Sequence, residues 1–472
     1  MEDSYDCIVI GGGSAGYAAA RTAAGHGLRT AVVDGAAELG GLCILRGCMP
    51  SKSLIESANR FHSMRRAGEF GLRADNLRVV PEEIQARKRR LVAEFAGYRA
   101  GQLQDGRFAL FRGRAEFRTA HEIAVNGPGM AGIVLHGKTF IIASGSRVAM
   151  PDLPGLTDDS VLTSDDVLDA STLPDSLIVL GGGPIALELA WFHHALGVPT
   201  TVIQRSPRLV RSVDADAALA LEQALAAGGM TIRTGTTLHS LSRENGVTTV
   251  HFDHHGQATI ASATAVLCAL GREPATDGLG LENAGVALEG KQIGVDTGQA
   301  TSQKHIFAAG DVCGPHEIVH IAITQGETAA TNAAVLLGKL PESGRRTVDY
   351  RLKLFAMFTQ PELATVGIGE DEAGERAVIA AIYPFNDHGK SMVMGETHGF
   401  VKLVADATSG EILGGTVVGP HASDLIHEVV VAMAFRSTCA EFAAIPHYHP
   451  TLAEIWTYPA EEIVERLAET AS

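Results

Sequence analysis

The chain has 472 residues, a formal net charge of −16 and 46% hydrophobic residues. That length is too great for one core and calls for about three domains of ordinary globular composition. The acidic balance argues against a nucleic-acid partner, because phosphate binding needs clustered Lys and Arg.

The chain opens on Met1-Glu2-Asp3-Ser4-Tyr5-Asp6, which is acidic and polar and unlike a signal peptide. No apolar run approaches the roughly 20 residues of a membrane span. Six cysteines in so long a chain are no secreted disulfide framework, so a reducing, cytoplasmic setting is expected. The first predicted element is the apolar strand Cys7-Ile8-Val9-Ile10. It is followed by Gly11-Gly12-Gly13-Ser14-Ala15-Gly16, a helix, Gly27, and a second strand Thr30-Ala31-Val32-Val33. This is a dinucleotide-binding pattern. Gly11 makes the tight turn, Gly13 admits a pyrophosphate against the backbone, and Gly16 lets the helix pack on the sheet. Asp34, after the second strand, is placed to bind a ribose 2′-hydroxyl. The site therefore suits an adenosine ribose without a 2′-phosphate, as in FAD.

A few residues on, Gly40-Gly41-Leu42-Cys43-Ile44-Leu45-Arg46-Gly47-Cys48-Met49-Pro50-Ser51-Lys52 puts two cysteines beside this site. Residues five apart on a regular helix lie about 8–9 Å apart, whereas a disulfide needs less than about 7 Å. If the pair bonds, the helix start must be distorted, with Gly47 supplying the freedom. A strained, accessible disulfide is easily reduced, which suits electron transfer. The competing readings are a bracing disulfide or a zinc site, though zinc wants tighter pairs and further ligands. The next marked feature, Arg87-Lys88-Arg89-Arg90, is expected to be a solvated helix face.

The first pattern then recurs. Leu177-Ile178-Val179-Leu180 is followed by Gly181-Gly182-Gly183-Pro184-Ile185-Ala186, a helix, Gly197 and the strand Thr200-Thr201-Val202-Ile203. Two copies at matched spacing turn a weak motif into a strong one, with Gly181, Gly183 and Ala186 in the roles of Gly11, Gly13 and Gly16. At the end of this copy Gln204 replaces the acid, and Arg205, Arg208 and Arg211 follow. Loss of the acid with nearby guanidinium groups favours a 2′-phosphate, hence NADPH rather than NADH. Near the C-terminus stands His449-Pro450-Thr451-Leu452-Ala453-Glu454. Thiol–disulfide exchange needs a base for the attacking thiol and an acid for the leaving sulfur, and a histidine is suited to both. Glu454 could orient the His449 ring, and His447 is the competitor. Cys7, Cys268 and Cys439 read as small buried hydrophobes, and Cys313, two residues after Asp311, as core or surface filler, with a second redox role as the alternative.

In order and spacing, these motifs resemble the pyridine nucleotide–disulfide oxidoreductases, the family of dihydrolipoamide dehydrogenase, glutathione reductase and mercuric reductase. The family's usual run is G-G-T-C-x-x-x-G-C-x-P-S/T-K. This chain departs from it at Leu42, where Thr is common, and at Leu45-Arg46, where Asn-Val is common. The resemblance implies an α/β architecture with two Rossmann-like nucleotide-binding domains, for FAD and NAD(P), plus a C-terminal α+β dimerisation domain. Residues 1–150 would begin the FAD domain, 151–271 form the NAD(P) domain, 272–345 complete the FAD domain, and 346–472 form the interface domain.

The same resemblance implies that Cys43 and Cys48 form a redox-active disulfide. Cys48 would face the flavin, and Cys43 would attack the substrate. Lys52 and Glu188 match a Lys–Glu pair that sits beside the flavin in this family. The run ending Ser144-Gly145-Ser146-Arg147 resembles the strand that leaves the first domain. Ala269-Leu270-Gly271-Arg272 resembles the exit from the second. Gly310 and Asp311 close the second FAD motif, with Asp311 on the ribityl chain. His449 and Glu454 would reach the disulfide of the other subunit, implying an obligate homodimer with shared active sites. A small disulfide or dithiol is the implied substrate, with no structural metal, membrane or nucleic acid. His449–Glu454 looks most like the dihydrolipoyl dehydrogenase branch, and Arg205 and Arg211 like the NADPH-using branch. A metal-ion reductase like mercuric reductase is the first alternative, but it carries a C-terminal cysteine pair and no cysteine follows Cys439. A non-catalytic nucleotide-sensing subunit is the second, but Cys43, Cys48 and His449 are all retained. Leu42, Leu45, Arg46, Tyr448, Trp456 and Tyr458 are expected to shape an unusual pocket.

Overall fold

The strand Ser4–Ile10 (β1) can bury its apolar part, Cys7–Ile10, on both faces only if its neighbours are parallel and apolar too. In the computed structural model, which describes residues 3–127, 130–158 and 160–470, that condition is met. β1 pairs in parallel with Thr30–Asp34 (β2) on one side and with Met130–Ile142 on the other. Ala109–Arg112 extends the sheet in parallel beyond β2, and Ile306–Ala308 joins Met130–Ile142. Glu122–Gly127 and Arg114–Thr119 complete it as antiparallel strands, giving seven in all. The helix Ser14–Gly25 (α1) covers one face and packs on Val319–Leu336 through alanines and glycines. A Cβ at Gly326 would lie 2.3 Å from the Ala15 carbonyl oxygen, so this approach admits no side chain there.

The chain divides into two units. The first comprises Met1–Ser53, Ala86–Ala149 and Arg272–Asp349, and the second Leu54–Gln85, Met150–Gly271 and Tyr350–Ser472. Leu54–Gln85 thus goes with the second unit, whereas the sequence reading kept it in the first FAD segment. In the second unit the repeated motif builds a parallel sheet in the order Thr231–Arg233, Thr200–Ile203, Leu177–Leu180, Ala265–Cys268, Val161–Leu162. A three-stranded antiparallel meander, Thr236–Glu244, Val247–His254 and Gln257–Ala263, follows. The C-terminal part forms a five-stranded antiparallel sheet against the helices Ala422–Ala434 and Thr457–Thr470. The strand Phe400–Asp406 belongs to this sheet.

One local expectation comes out differently, and the reading of the cysteines agrees with the structure. Arg87, Arg89 and Arg90 are exposed, but Lys88 is only 4% exposed, so the basic run is not one solvated face. Arg87 also turns back to donate to the Ser53 carbonyl and hydroxyl, each at 3.1 Å. Cys7, Cys268 and Cys439 are fully buried and Cys313 nearly so, as small hydrophobes.

Candidate active site

The two glycine turns are built alike. Gly11 has φ +105° and Gly181 φ +117°, a region that favours glycine. A Cβ on either would meet a carbonyl oxygen at 2.3 Å, that of Ala143 for Gly11 and of Ala269 for Gly181. A Cβ at Gly16 would sit 1.8 Å from the Gly11 oxygen, whereas the second turn has room for Ala186. α1 starts at Gly13 and Pro184–Ala195 at Gly183, and neither start has a side-chain cap. Two other helix starts are closed by capping boxes, at Thr163 and Thr438. The two glycine ends therefore leave backbone N–H groups for a ligand. The space over Gly183 is open to 4 Å, and over Gly13 the first atom is the Gly41 Cα at 3.7 Å. Arg99 lies 4.2 Å over the ring of Tyr17, on α1, and its Nε and Nη1 are buried without a hydrogen-bond partner among the described residues. Uncapped amides and an unsatisfied guanidinium fit an anionic dinucleotide, and the first turn fits FAD.

Asp34 is buried, and its carboxylate accepts from the amides of Gly12 at 2.8 Å and Ala36 at 2.9 Å. Sequence reasoning passed over Arg112, whose guanidinium lies 3.4 Å from Asp34 and donates to the carbonyls of Ala36 and Ala37. In the second copy Gln204 takes the place of Asp34 beside Gly182. Arg205 and Arg211 are exposed there, while Arg208 is drawn to Asp371 at 3.3 Å. Gly145, Gly271 and Gly310 all have positive φ. Ser146 donates to Asp311 at 2.6 Å and accepts from Arg272 Nε at 2.8 Å, so Arg272, Ser146 and Asp311 form one network. The Gln325 side chain accepts from the Gly310 amide at 2.7 Å.

The cysteine segment is two helices with a break, Gly41–Leu45 (α2) and Cys48–Arg65 (α3). Arg46, at φ −142°, leaves the helical region and ends α2. Gly47 is not in the left-handed region, so it supplies space rather than conformational freedom. A Cβ on it would press on the Leu42 oxygen at 3.1 Å and the Cys43 Cα at 3.2 Å. That close approach folds Cys48 back toward Cys43. The Cys43 thiol is hydrogen-bonded to Cys48, and this contact, with burial, holds its pKa well above the ordinary thiol range. Lys52 is half-buried on α3.

In the second unit Glu188 is buried and accepts from the Phe358 amide at 3.1 Å. His449 is 79% exposed at its side chain, and its Nδ1 lies 3.0 and 3.2 Å from the two oxygens of buried Glu454. His447 has both ring nitrogens engaged, Nε2 with Glu428 at 2.6 Å and Nδ1 with the Ile445 carbonyl at 2.8 Å. That leaves His449 as the ring that combines exposure with a buried carboxylate. Sequence reasoning also missed His388, a buried imidazole 3.4 Å from Glu454. A lone histidine far along the chain gave no signal of that contact.

Two dinucleotide turns, a close cysteine pair and an exposed His–Glu dyad define a flavin- and nicotinamide-linked thiol–disulfide enzyme. The chain belongs to the pyridine nucleotide-disulphide oxidoreductase family, which it matches over residues 5–326, with the family's dimerisation domain matching residues 355–460. It is a flavin-dependent pyridine nucleotide–disulfide oxidoreductase. A dihydrolipoyl dehydrogenase of Bacillus subtilis (strain 168) is 35% identical over 469 residues, which cover 96% of this chain and 97% of the relative. A mercuric reductase of Staphylococcus aureus is 32% identical over 459 residues, covering 96% and 81%. Among solved structures, LpdA from Mycobacterium tuberculosis superposes with a TM-score of 0.86 at 30% identity, over 97% of this chain and 99% of that one. The Cu(II) complex of the HOCl-induced flavoprotein disulfide reductase RclA from Escherichia coli gives 0.85 at 26% identity, with the same coverage.

Proposed function

We propose that the protein moves electron pairs between NADPH, FAD, the Cys43–Cys48 pair and a small disulfide or dithiol. The contact of Cys43 with Cys48 across the break between α2 and α3 carries this reading. FAD, when bound, supplies the two-electron exchange between nicotinamide and the cysteine pair. In the disulfide-reducing direction the Cys43 sulfur attacks one substrate sulfur, forming a mixed disulfide and releasing the other sulfur as a thiolate. Cys48 then attacks Cys43, which closes the Cys43–Cys48 disulfide and releases the second substrate sulfur. Because its thiol is held protonated, Cys43 needs a base, and each leaving sulfur needs an acid. His449 fills both roles, with Glu454 fixing its Nδ1 and stabilising the imidazolium, as the carboxylate does in a Ser-His-Asp arrangement. In the homodimer the dyad of one subunit serves the cysteine pair of its partner, and the dithiol-oxidising direction uses the same groups in reverse. Lys52 and Glu188 belong beside the flavin, and Arg205 and Arg211 on the 2′-phosphate of NADPH.

The test separates the cysteines from the rest of the path. Cys43→Ser and Cys48→Ser are each expected to abolish turnover of lipoamide and glutathione disulfide, while NADPH oxidation by an artificial dye continues. Disulfide turnover that survives either change overturns the reading.

A further inference from the structure

The Glu454 carboxylate is shared by two imidazoles. On its exposed side stands His449, with Nδ1 at 3.0 Å. On its inner side stands His388, with a side chain 0% exposed and Nε2 3.4 Å from Oε1. The other His388 nitrogen, Nδ1, lies 2.8 Å from the Ser391 hydroxyl. His388 Nε2 makes no aligned hydrogen bond among the described residues, so the carboxylate is the polar group left for it. Burial holds the His388 pKa below the ordinary histidine value, against the pull of Glu454, and the ring is neutral near pH 7. A neutral imidazole has one N–H and one acceptor. In the tautomer in which the Ser391 hydroxyl donates to Nδ1, the proton sits on Nε2 and faces Glu454.

Two tyrosines lie on the inner side of this site. Tyr458, on Thr457–Thr470, presents its ring to His388 at 6.4 Å between centroids. Tyr383, on Val378–Pro384, stacks on Tyr458 at 4.0 Å, and its hydroxyl donates to the Asp387 carboxylate at 3.2 Å. Burial pushes the Tyr383 phenol up to about 12, so it stays neutral.

We infer that His388 is a positioning residue for the disulfide half-reaction: its Nε2–H draws on the Glu454 carboxylate and so limits how firmly that carboxylate holds the proton-bearing His449 ring. This rests on His449 being the acid–base group. A carboxylate shared with a second donor stabilises an imidazolium less, so His449 releases its proton more readily to a leaving sulfur. Without His388 the same carboxylate binds the imidazolium more tightly, and the base form of His449 appears only at higher pH.

The experiment uses the FAD-loaded homodimer with NADPH and lipoamide. Its readout is the ratio of the disulfide-side rate to the nicotinamide-side rate, followed from pH 5 to 9. His388→Leu, which removes the donor, is expected to raise the apparent pKa of the disulfide side by about 0.5–1 unit, a three- to tenfold change in proton affinity. His388→Asn, which keeps an amide donor, should restore most of it. Ser391→Ala, a small change that leaves the ring in place but frees its tautomer, should shift the pKa in the same direction by less. An unmoved pKa in both the Leu and the Ala variants, with rates lowered alike at every pH, overturns the role of His388. His449→Gln tells the two ideas apart. If it abolishes the titration while the His388 variants leave it alone, only the role of His388 falls. If it leaves the titration intact, the reading of His449 falls, and His388 with it.

Discussion

Arg205 and Arg211 are exposed at the end of the second nucleotide strand, where the first copy has a buried acid. Asp34 in that first copy is tied to the Gly12 and Ala36 amides, so it braces the turn. Two charge-assisted contacts at about 1.5–3 kcal/mol each allow NADPH to be preferred over NADH by on the order of a hundredfold or more. Arg205→Ala with Arg211→Ala is expected to erase that preference in kcat/KM, and equal efficiency with both nucleotides in the unsubstituted enzyme would sink the idea. Residues of this kind are legible in a sequence because their spacing from a glycine turn fixes where they stand. His388 and Arg112 were not legible. Each owes its place to a partner that only the folded chain brings near, Glu454 for one and Asp34 for the other. Gly47 was marked correctly as special but for the wrong reason, because a crowded approach and a left-handed φ leave the same letter in the sequence.

Helices and strands were readable wherever one pattern ran unbroken, as in both strand–glycine–helix–strand repeats. What joins elements was not. Lys402, in the strand Phe400–Asp406, is buried with three carboxylates around it: Asp214 at 2.8 Å, Asp216 at 2.9 Å and Glu370 at 2.5 Å. Asp214 precedes the helix Ala215–Ala227 without capping it and accepts instead from Lys402 and from the amides of Glu370 and Asp371. In sequence these residues are a lysine in a strand and scattered acids. Lys402→Met strands the buried Asp214 carboxylate, with Asp216 and Glu370 partly exposed beside it, and is expected to cost about 3–5 kcal/mol, seen as a lower urea midpoint with an unchanged cofactor preference. A loss below about 1 kcal/mol would show that water already screens the cluster.

At the end of the same strand, Asp406 accepts from the amides of Thr408 at 3.0 Å and Ser409 at 2.9 Å, and pairs with Arg376 at 3.1 Å. The Ser409 amide foremost, then the Thr408 amide and Arg376, lowers its pKa from 3.8 to about 2. An acid depressed by folding stabilises the fold above its unfolded value, and the gain fades as pH falls from about 4 toward 2. The melting-temperature gap between the unsubstituted protein and Asp406→Ala should be full at pH 7 and shrink through that window. A gap that stayed constant down to pH 2 would remove Asp406 from the acid response.

At the scale of the whole molecule, one motif used twice gives one chain two dinucleotide turns with different strand ends. The cysteine pair follows the first copy, and the dyad lies in the dimerisation domain. Under the proposed function this division separates the chemistry into a nicotinamide side and a disulfide side, with the Cys43–Cys48 pair as the store between them. The store has a countable capacity. A chain carrying one FAD is expected to take up two electron pairs in an anaerobic dithionite titration, one at FAD and one at the cysteines. Cys48→Ser should take up one, and the thiol count after denaturation should rise on reduction only in the unsubstituted protein. His449→Ala should leave the capacity at two, because proton transfer at the substrate sulfur sets a rate and not a number of electrons. Uptake of a single pair by the unsubstituted chain would take the cysteines out of the electron path. It would leave a flavoprotein with a nicotinamide site and no disulfide half-reaction for His449 to serve.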